Sequence, residues 1–277
     1  MTVQSPLAPA RRQSGPVPDS AALFEQAVAV RRAAEDHAAT RVEAFECGTV
    51  VAHDGFPAAR SLNLLRAQRE LDDVEPRALI WTAAAQLPGM GLGGWRVTID
   101  GGHRAESLAE GFRSMGWRVH RLTVMVQRRP AAPASMANSA RELVEADVQA
   151  VRAGALRERL RTPDIDDEMS ALKALGQTLP TRYFGMLAHN MLVGYCVLRT
   201  QGNFGLIDEL TVPESMPGTG AGRAVVALAA HASRVAGNRA TFMLAPGDPW
   251  QTGSFRRLGF VELGARYELD VPRGQTE

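Results

Sequence analysis

Phe204-Gly-Leu-Ile-Asp-Glu-Leu-Thr-Val-Pro213, then Pro217-Gly-Thr-Gly-Ala-Gly222, then the run Arg223–Ala236 form the most informative stretch of this sequence. The first segment reads as a strand and the last as an apolar helix. Between them, Gly218, Gly220 and Gly222 permit backbone conformations in which successive N–H groups converge on one anion. The helix N-terminus adds partial positive charge at the same place. A Cβ at these positions would hold a phosphate away, so strand, glycine turn and helix together make a phosphate cradle. A nucleoside-triphosphate loop would need Gly-Lys-Ser/Thr, and the turn has no lysine. A dinucleotide loop would need glycine where Arg223 stands. A literal G-x-G-x-x-G does occur at Gly89, Gly91 and Gly94, but it leads into a strand and reads as an ordinary loop.

Working outward, the cradle is preceded by a meander of strands, Arg182–His189, Met191–Thr200 and Phe204–Val212, with turns at Ala188-His-Asn190 and Gln201-Gly-Asn203. It is followed by strand Arg239–Leu244, helix Gln251–Leu258 and strand Phe260–Val271. Helical patterns cover Glu145–Arg161 and Asp166–Gln177. The earlier part of the chain reads as a helix over Ala21–Ala38 after the N-cap pair Asp19-Ser20, and strand-like segments at Val42–Ala52 and Leu62–Ala67. A helix over Pro76–Leu87, a strand over Trp95–Asp100, a helix over His103–Met115 closed by Gly116 and a strand over Val119–Gln127 complete it. Residues 1–20 read as a disordered lead. Residues 130–139, small, polar and proline-bearing, read as a linker. The expected organisation is therefore one domain over 21–129 and a second over 140–277.

The two domains echo each other. Phe112-Arg-Ser-Met-Gly-Trp117 matches Phe255-Arg-Arg-Leu-Gly-Phe260 at an offset of 143 residues, and the same offset sets Arg96-Val-Thr98 on Arg239-Ala-Thr241. Several matches in one register argue for duplication and for halves packed as a pseudo-dimer. In that register the first copy lacks the glycines of the turn and carries Glu70, Asp72, Asp73 and Glu75, which repel a pyrophosphate. One cradle is expected, in the second half.

Composition excludes several classes of function. The chain has 277 residues, 45% hydrophobic and 22% charged, with net charge +1. That balance gives no general attraction to nucleic acid or membrane, and no apolar run approaches the ~18 residues of a membrane span. Cys47 and Cys196 lie far apart without metal-ligand or disulfide spacing, so no metal is expected. A cytoplasmic monomer or homodimer fits these features.

Glu209-Leu-Thr-Val-Pro213 with Gly218-Thr-Gly-Ala-Gly222 resembles motif A of the GNAT acetyltransferase superfamily. Arg256-Arg-Leu-Gly-Phe260 resembles the family's closing helix-to-strand signature. Together they resemble tandem GNAT proteins of actinobacteria with one degenerate and one intact copy. The resemblance implies an α+β fold of two tandem GNAT-like domains, each a mixed, mostly antiparallel sheet flanked by helices. It also implies an N-acetyltransferase that moves acetyl from acetyl-CoA to a primary amine of a small molecule or peptide within a ternary complex. The alternative is a catalytically silent acyl-CoA-binding or scaffold protein.

By the same resemblance, the strand edge at Leu210, Thr211 and Val212 holds the pantetheine arm, and the Leu210 N–H serves the thioester oxygen. The amides of Gly218, Thr219, Gly220, Ala221, Gly222 and Arg223 hold the pyrophosphate. Pro217 stands where the family has Arg or Gln, which implies a weaker grip. Asp208 and Glu209 are the candidate bases, and strand alternation would set them on opposite faces. Phe255 stands where many members carry the leaving-group tyrosine, leaving Ser254, Tyr183 or water as proton source. Asp166, Asp167 and Glu168 either attract a cationic amine or complement a helix dipole.

Overall fold

The structure is a computed structural model that describes residues 19–68, 71–87, 95–129, 140–158, 160, 162–213, 219–247 and 249–270. The lead over 1–18, the 130–139 linker, Glu70, the Gly89, Gly91 and Gly94 pattern, and Pro217 and Gly218 of the glycine turn lie outside the described residues.

The first half runs α1 (Ser20–Ala38), β1 (Arg41–Phe45), β2 (Gly48–Ala52), β3 (Leu64–Ala67), α2 (Pro76–Gln86), β4 (Arg96–Asp100), α3 (Ala105–Ser114) and β5 (Arg118–Gln127). The second runs β6 (Ala140–Leu143), α4 (Glu145–Arg157), α5 (Thr162–Thr178), β7 (Thr181–Ala188), β8 (Met191–Gln201) and β9 (Phe204–Thr211). It ends with α6 (Ala221–Val235), β10 (Ala240–Pro246), α7 (Pro249–Arg256) and β11 (Phe260–Asp270). The segment read as strand-like over Val42–Ala52 is a hairpin, β1 and β2, folded back at Glu46-Cys47. Strand β6 is an addition to the sequence reading: four residues without apolar alternation, held by pairing with β7.

All strands join one 11-stranded sheet in the order β1-β2-β3-β4-β11-β5-β10-β9-β8-β7-β6. Pairs β3–β4 and β9–β10 are parallel, and the other neighbours are antiparallel. The parallel pair falls at the same place in each half, as a duplication requires. The closing strands are exchanged. β5, from the first half, lies against β10 of the second, and β11, from the second, lies against β4 of the first. They meet at the centre, antiparallel from Phe260↔Gln127 to Asp270↔Arg118. Each half thus needs the other's last strand to complete its sheet.

Helices cover both faces. On one, α2 and α3 pack with Leu79, Leu108 and Phe112 against Val97 and Leu269, and α6 and α7 pack with Val225, Ala229 and Phe255 against Ile207 and Met243. On the other, α1 lays Phe24, Ala27 and Val28 over Val124, Leu206 and Phe242, although these last two belong to the second half. The stripe Leu23, Ala27, Val30/Arg31, Ala34 has the spacing of a helix buried along one side. Helix α5 packs beside α1, with Leu172 and Leu175 near Ala34, Ala59 and Leu62. Both helices therefore straddle the two halves.

The α1 face also buries charge. Glu35, 0% exposed, accepts hydrogen bonds from Arg31 Nε (2.7 Å), Arg266 Nη2 (3.0 Å) and Arg66 Nη1 (3.2 Å). Arg266 also approaches Asp100 (3.1 Å), and Arg31 reaches across to Asp208 on β9. A continuous ionic chain therefore joins β4 and β11 to β9 beneath α1. Among the described residues no helix is long and apolar enough to cross a membrane.

Candidate functional site

Strands β9 and β10 pair from Phe204↔Ala240 to Ile207↔Met243 and then part, although both continue. β10 turns its far end to β5, pairing through Pro246↔Leu122. β9 keeps β8, with Tyr195↔Thr211. The result is a fork. Past Ile207 the β10-facing edge of β9, which carries Leu210 and Thr211, has no strand beside it among the described residues.

A β-bulge in β9 accompanies the fork. Tyr195 pairs with Thr211 but Val197 with Asp208, so three steps on β9 oppose two on β8. Glu209 takes up the extra residue with φ +52°, a left-handed conformation unusual for glutamate. Its N–H donates to Asp208 Oδ1 at 2.6 Å. The bulge corrects the expectation that Asp208 and Glu209 face opposite ways: because alternation is broken between them, both approach the Arg199 guanidinium, Asp208 at 2.9 Å and Glu209 at 3.7 Å.

The two carboxylates nevertheless have different surroundings. Asp208 Oδ2 accepts from both Arg199 and Arg31. Burial alone would raise its pKa, but the two guanidinium groups outweigh it and hold the carboxyl at about 2. Glu209 Oε1 accepts from Arg152 Nε at 2.6 Å and Tyr195 Oη at 2.9 Å, while its Oε2 is buried without a hydrogen-bond partner.

At the mouth of the fork stands the head of α6. Gly220 is its N-cap with φ +73°, a conformation glycine adopts without strain. The amides of Ala221, Gly222 and Arg223 have no intrahelical acceptor, and the first turn carries no acidic side chain. Arg223 is exposed there. Thr219 Oγ1 lies 3.4 Å from the Ala221 amide. The helix head is drawn onto the sheet because Gly194 on β8 has no side chain: a Cβ there would stand 3.2 Å from Ala221 Cβ and 3.2 Å from Val212. Gly194 escaped the sequence reading, its only signal being a glycine within a strand. A Cβ on Gly222 would meet nothing nearer than Val212 at 3.5 Å, an ordinary contact. Folding therefore does not demand glycine at 222.

The equivalent place in the first half differs. Helix α2 starts after Glu75 with Pro76 in its first turn, which makes the N-cap an acidic residue and removes an N–H.

The remaining candidates are dispersed, with Tyr183 beside Arg152 and the others elsewhere. Ser254 is on α7, across the sheet from Glu209, and accepts a hydrogen bond from Arg257 Nη2 at 3.0 Å. Phe255 is buried with Leu258 and Phe260 in the apolar layer under α6 and α7. Tyr183 is on β7, its hydroxyl lodged against Gly176 of α5. The acidic run has another occupation. Asp167 accepts from the Ala58 amide at 2.9 Å and buried Glu168 from the Ser61 amide at 3.2 Å, tying α5 to the first half. Those two carboxylates are structural ties, not free charges for an amine, and Asp166 alone is exposed. Among the described residues no group of His, Cys, Asp and Glu is placed to hold a metal ion.

No protein-family model matches the sequence, and no curated protein matches it significantly. Solved structures are similar in backbone. One is a GCN5-related N-acetyltransferase from Kribbella flavida, with TM-score 0.56 and 17% identity over 90% of this chain and 96% of its own. Another is a functionally unknown conserved protein from Staphylococcus epidermidis, with TM-score 0.60 and 12% identity over 84% of this chain and 95% of its own. The chain has the GNAT N-acetyltransferase fold, and the likeness extends over both halves.

Proposed function

We propose that the protein is an acetyl-CoA-dependent N-acetyltransferase acting on a primary amine, with one coenzyme site in the fork between β9 and β10. The observation that carries this reading is the parting of β9 and β10 after Ile207 and Met243, directly in front of the Gly220-capped head of α6. Acetyl-CoA, when bound, supplies an acetyl thioester. The unpaired edge at Leu210–Val212 offers backbone hydrogen bonds to an extended amide-bearing arm. The amides of Ala221, Gly222 and Arg223, with Thr219 and Gly220 shaping the turn, receive a pyrophosphate.

Glu209 is the better candidate base. Its Oε2 accepts no hydrogen bond and meets Arg199 Nη2 only at 3.7 Å, whereas a carboxyl held at about 2 and hydrogen-bonded by two arginines, as Asp208 is, has little tendency to take a proton near neutral pH. Asp208 instead anchors the bulge. A silent coenzyme-binding protein is the second reading, favoured by Phe255, which is buried as an apolar side chain and offers no proton to a leaving thiolate.

Titration with acetyl-CoA tests both readings together, and absence of binding rejects both. Thiol release across a panel of amines then separates enzyme from binder. Gly222→Ala is expected to leave the melting temperature unchanged or slightly higher, because alanine favours a helix. Crowding the pyrophosphate should remove hydrogen bonds to a charged group, about 1.5–3 kcal/mol, or roughly 10–100-fold in acetyl-CoA affinity. Calorimetry showing wild-type affinity would move the coenzyme elsewhere.

A further inference from the structure

Arg152 lies on α4 with a side chain 2% exposed. Its Nε is bound to Glu209, but Nη1 and Nη2 are buried without hydrogen-bond partners. The nearest acid to Nη1 beyond Glu209 is Glu145, at 3.7 Å. The guanidinium carbon stands 5.9 Å from the ring centres of both Tyr183 and Tyr195, which wall it on β7 and β8. The two Nη groups have no acceptor within hydrogen-bond distance, and buried donors in folded proteins normally have one. Glu209, bound through Oε1 to Arg152 Nε, has an Oε2 that accepts no hydrogen bond and stands 3.7 Å from Arg199 Nη2. Unsatisfied donors and an unsatisfied acceptor thus belong to one bonded pair at the bulge.

Charges of both signs already meet here. Arg152 and Arg199 face Glu145, Glu209 and Asp208, and Arg31 is shared between Asp208 and Glu35. A ligand bearing only a cation or only an anion would bring uncompensated charge into a buried setting, which is unfavourable. A ligand bearing one of each would not. A carboxylate can take both Nη groups in one bidentate contact, and an ammonium can donate to Glu209 Oε2.

We infer that the acceptor is an amino-carboxylate, an amino acid or a close relative with its carboxylate free, held by Arg152 while its amine faces Glu209. The inference rests on the acetyltransferase reading. In the transfer, the ammonium gives a proton to Glu209 Oε2 and the amine nitrogen bonds to the acetyl carbon. The carbon–sulfur bond breaks, and the thiolate leaves with the proton released by the acylated nitrogen. Arg152 is a specificity residue that touches the acceptor and takes no part in the proton transfer.

The test compares amino acids, their carboxamides and the matching decarboxylated amines by thiol release, after acetyl-CoA binding has been measured. Free acids are expected to exceed their carboxamides at least about tenfold in kcat/KM, the scale of one charged hydrogen-bonded contact. In Arg152→Met that ratio is expected to collapse towards one while acetyl-CoA affinity stays at the wild-type value. A purely structural Arg152 would slow all acceptors alike and leave the ratio intact, which overturns the inference. Equal use of acids and carboxamides by the wild type also overturns it, without recourse to any variant, and leaves the acetyltransferase reading standing. Failure to bind acetyl-CoA removes the acetyltransferase reading and this inference with it.

Discussion

Glu35→Gln is expected to lower the free energy of unfolding at neutral pH by about 3–5 kcal/mol, the range for removing one member of a buried ionic cluster. Glu35 is fully buried and is the carboxylate shared by Arg31, Arg66 and Arg266. Glutamine keeps the shape but not the charge. Asp208, Asp36 and Asp100 remain, each beside one of the three arginines, but all three guanidinium groups would lose the one fully buried carboxylate they share. The pH dependence gives an independent check. Burial would raise the Glu35 pKa, but the arginines, Arg266 foremost, bring it from an ordinary 4.5 to about 2. A depressed carboxyl contributes stability that is present above its unfolded pKa and is lost as pH falls through its folded one. The window is therefore from about pH 4.5 down to about pH 2. At about 1.4 kcal/mol per unit, this shift corresponds to roughly 3 kcal/mol, in line with the mutational estimate. Asp208, lowered from 3.8 to about 2, acts in the same direction. Urea titrations from pH 7 to pH 2 should show the wild type losing stability through this window, with a shallower loss in Glu35→Gln. An unchanged urea midpoint at pH 7 would refute a structural role for the charge.

This cluster also shows where reading a sequence stops. Strand β9, the turn and α6 were recognisable because each has a local signal: apolar runs, glycines at alternate positions and a helical stripe. The duplication showed in one offset shared by several matches. The exchange of β5 and β11 had no such signal. Their alternating side chains state that they are strands, not which edge they join. Arg31 and Glu35 are spaced as a surface ion pair on a helix, and only the packing of α1 across both halves reveals them as core. A hint was present in Leu65-Arg66-Ala67, Leu198-Arg199 and Ala265-Arg266-Tyr267, arginines set inside apolar strands where buried acids must answer them. The bulge was equally hidden. Asp208-Glu209 looks like ordinary alternation, and only the left-handed φ of Glu209 brings both carboxylates to one arginine.

Glu209→Gln is expected to reduce kcat for acetyl transfer by about 10²–10⁴-fold per folded molecule, the usual contribution of a positioned general base, with little change in acetyl-CoA affinity and some loss of stability, because Arg152 and Arg199 then face a neutral amide. The amide oxygen of glutamine can still accept from Arg152 Nε and Tyr195 Oη, the bonds that hold Glu209 Oε1, so the bulge should persist. What is lost is the carboxylate's capacity to take a proton. Asp208→Asn provides the contrast. It leaves Arg31 and Arg199 facing a neutral group in a buried site, so its effect should fall first on stability, by about 3–5 kcal/mol. Activity per folded molecule should be much less affected. The two variants together distinguish the neighbours. If Asp208→Asn abolishes turnover while remaining folded and Glu209→Gln turns over normally, the roles are reversed, and a base held between two arginines would have to work far from its pKa. If both variants fold and both turn over at the wild-type rate, the amine loses its proton to water and the bulge serves only to hold the fork open.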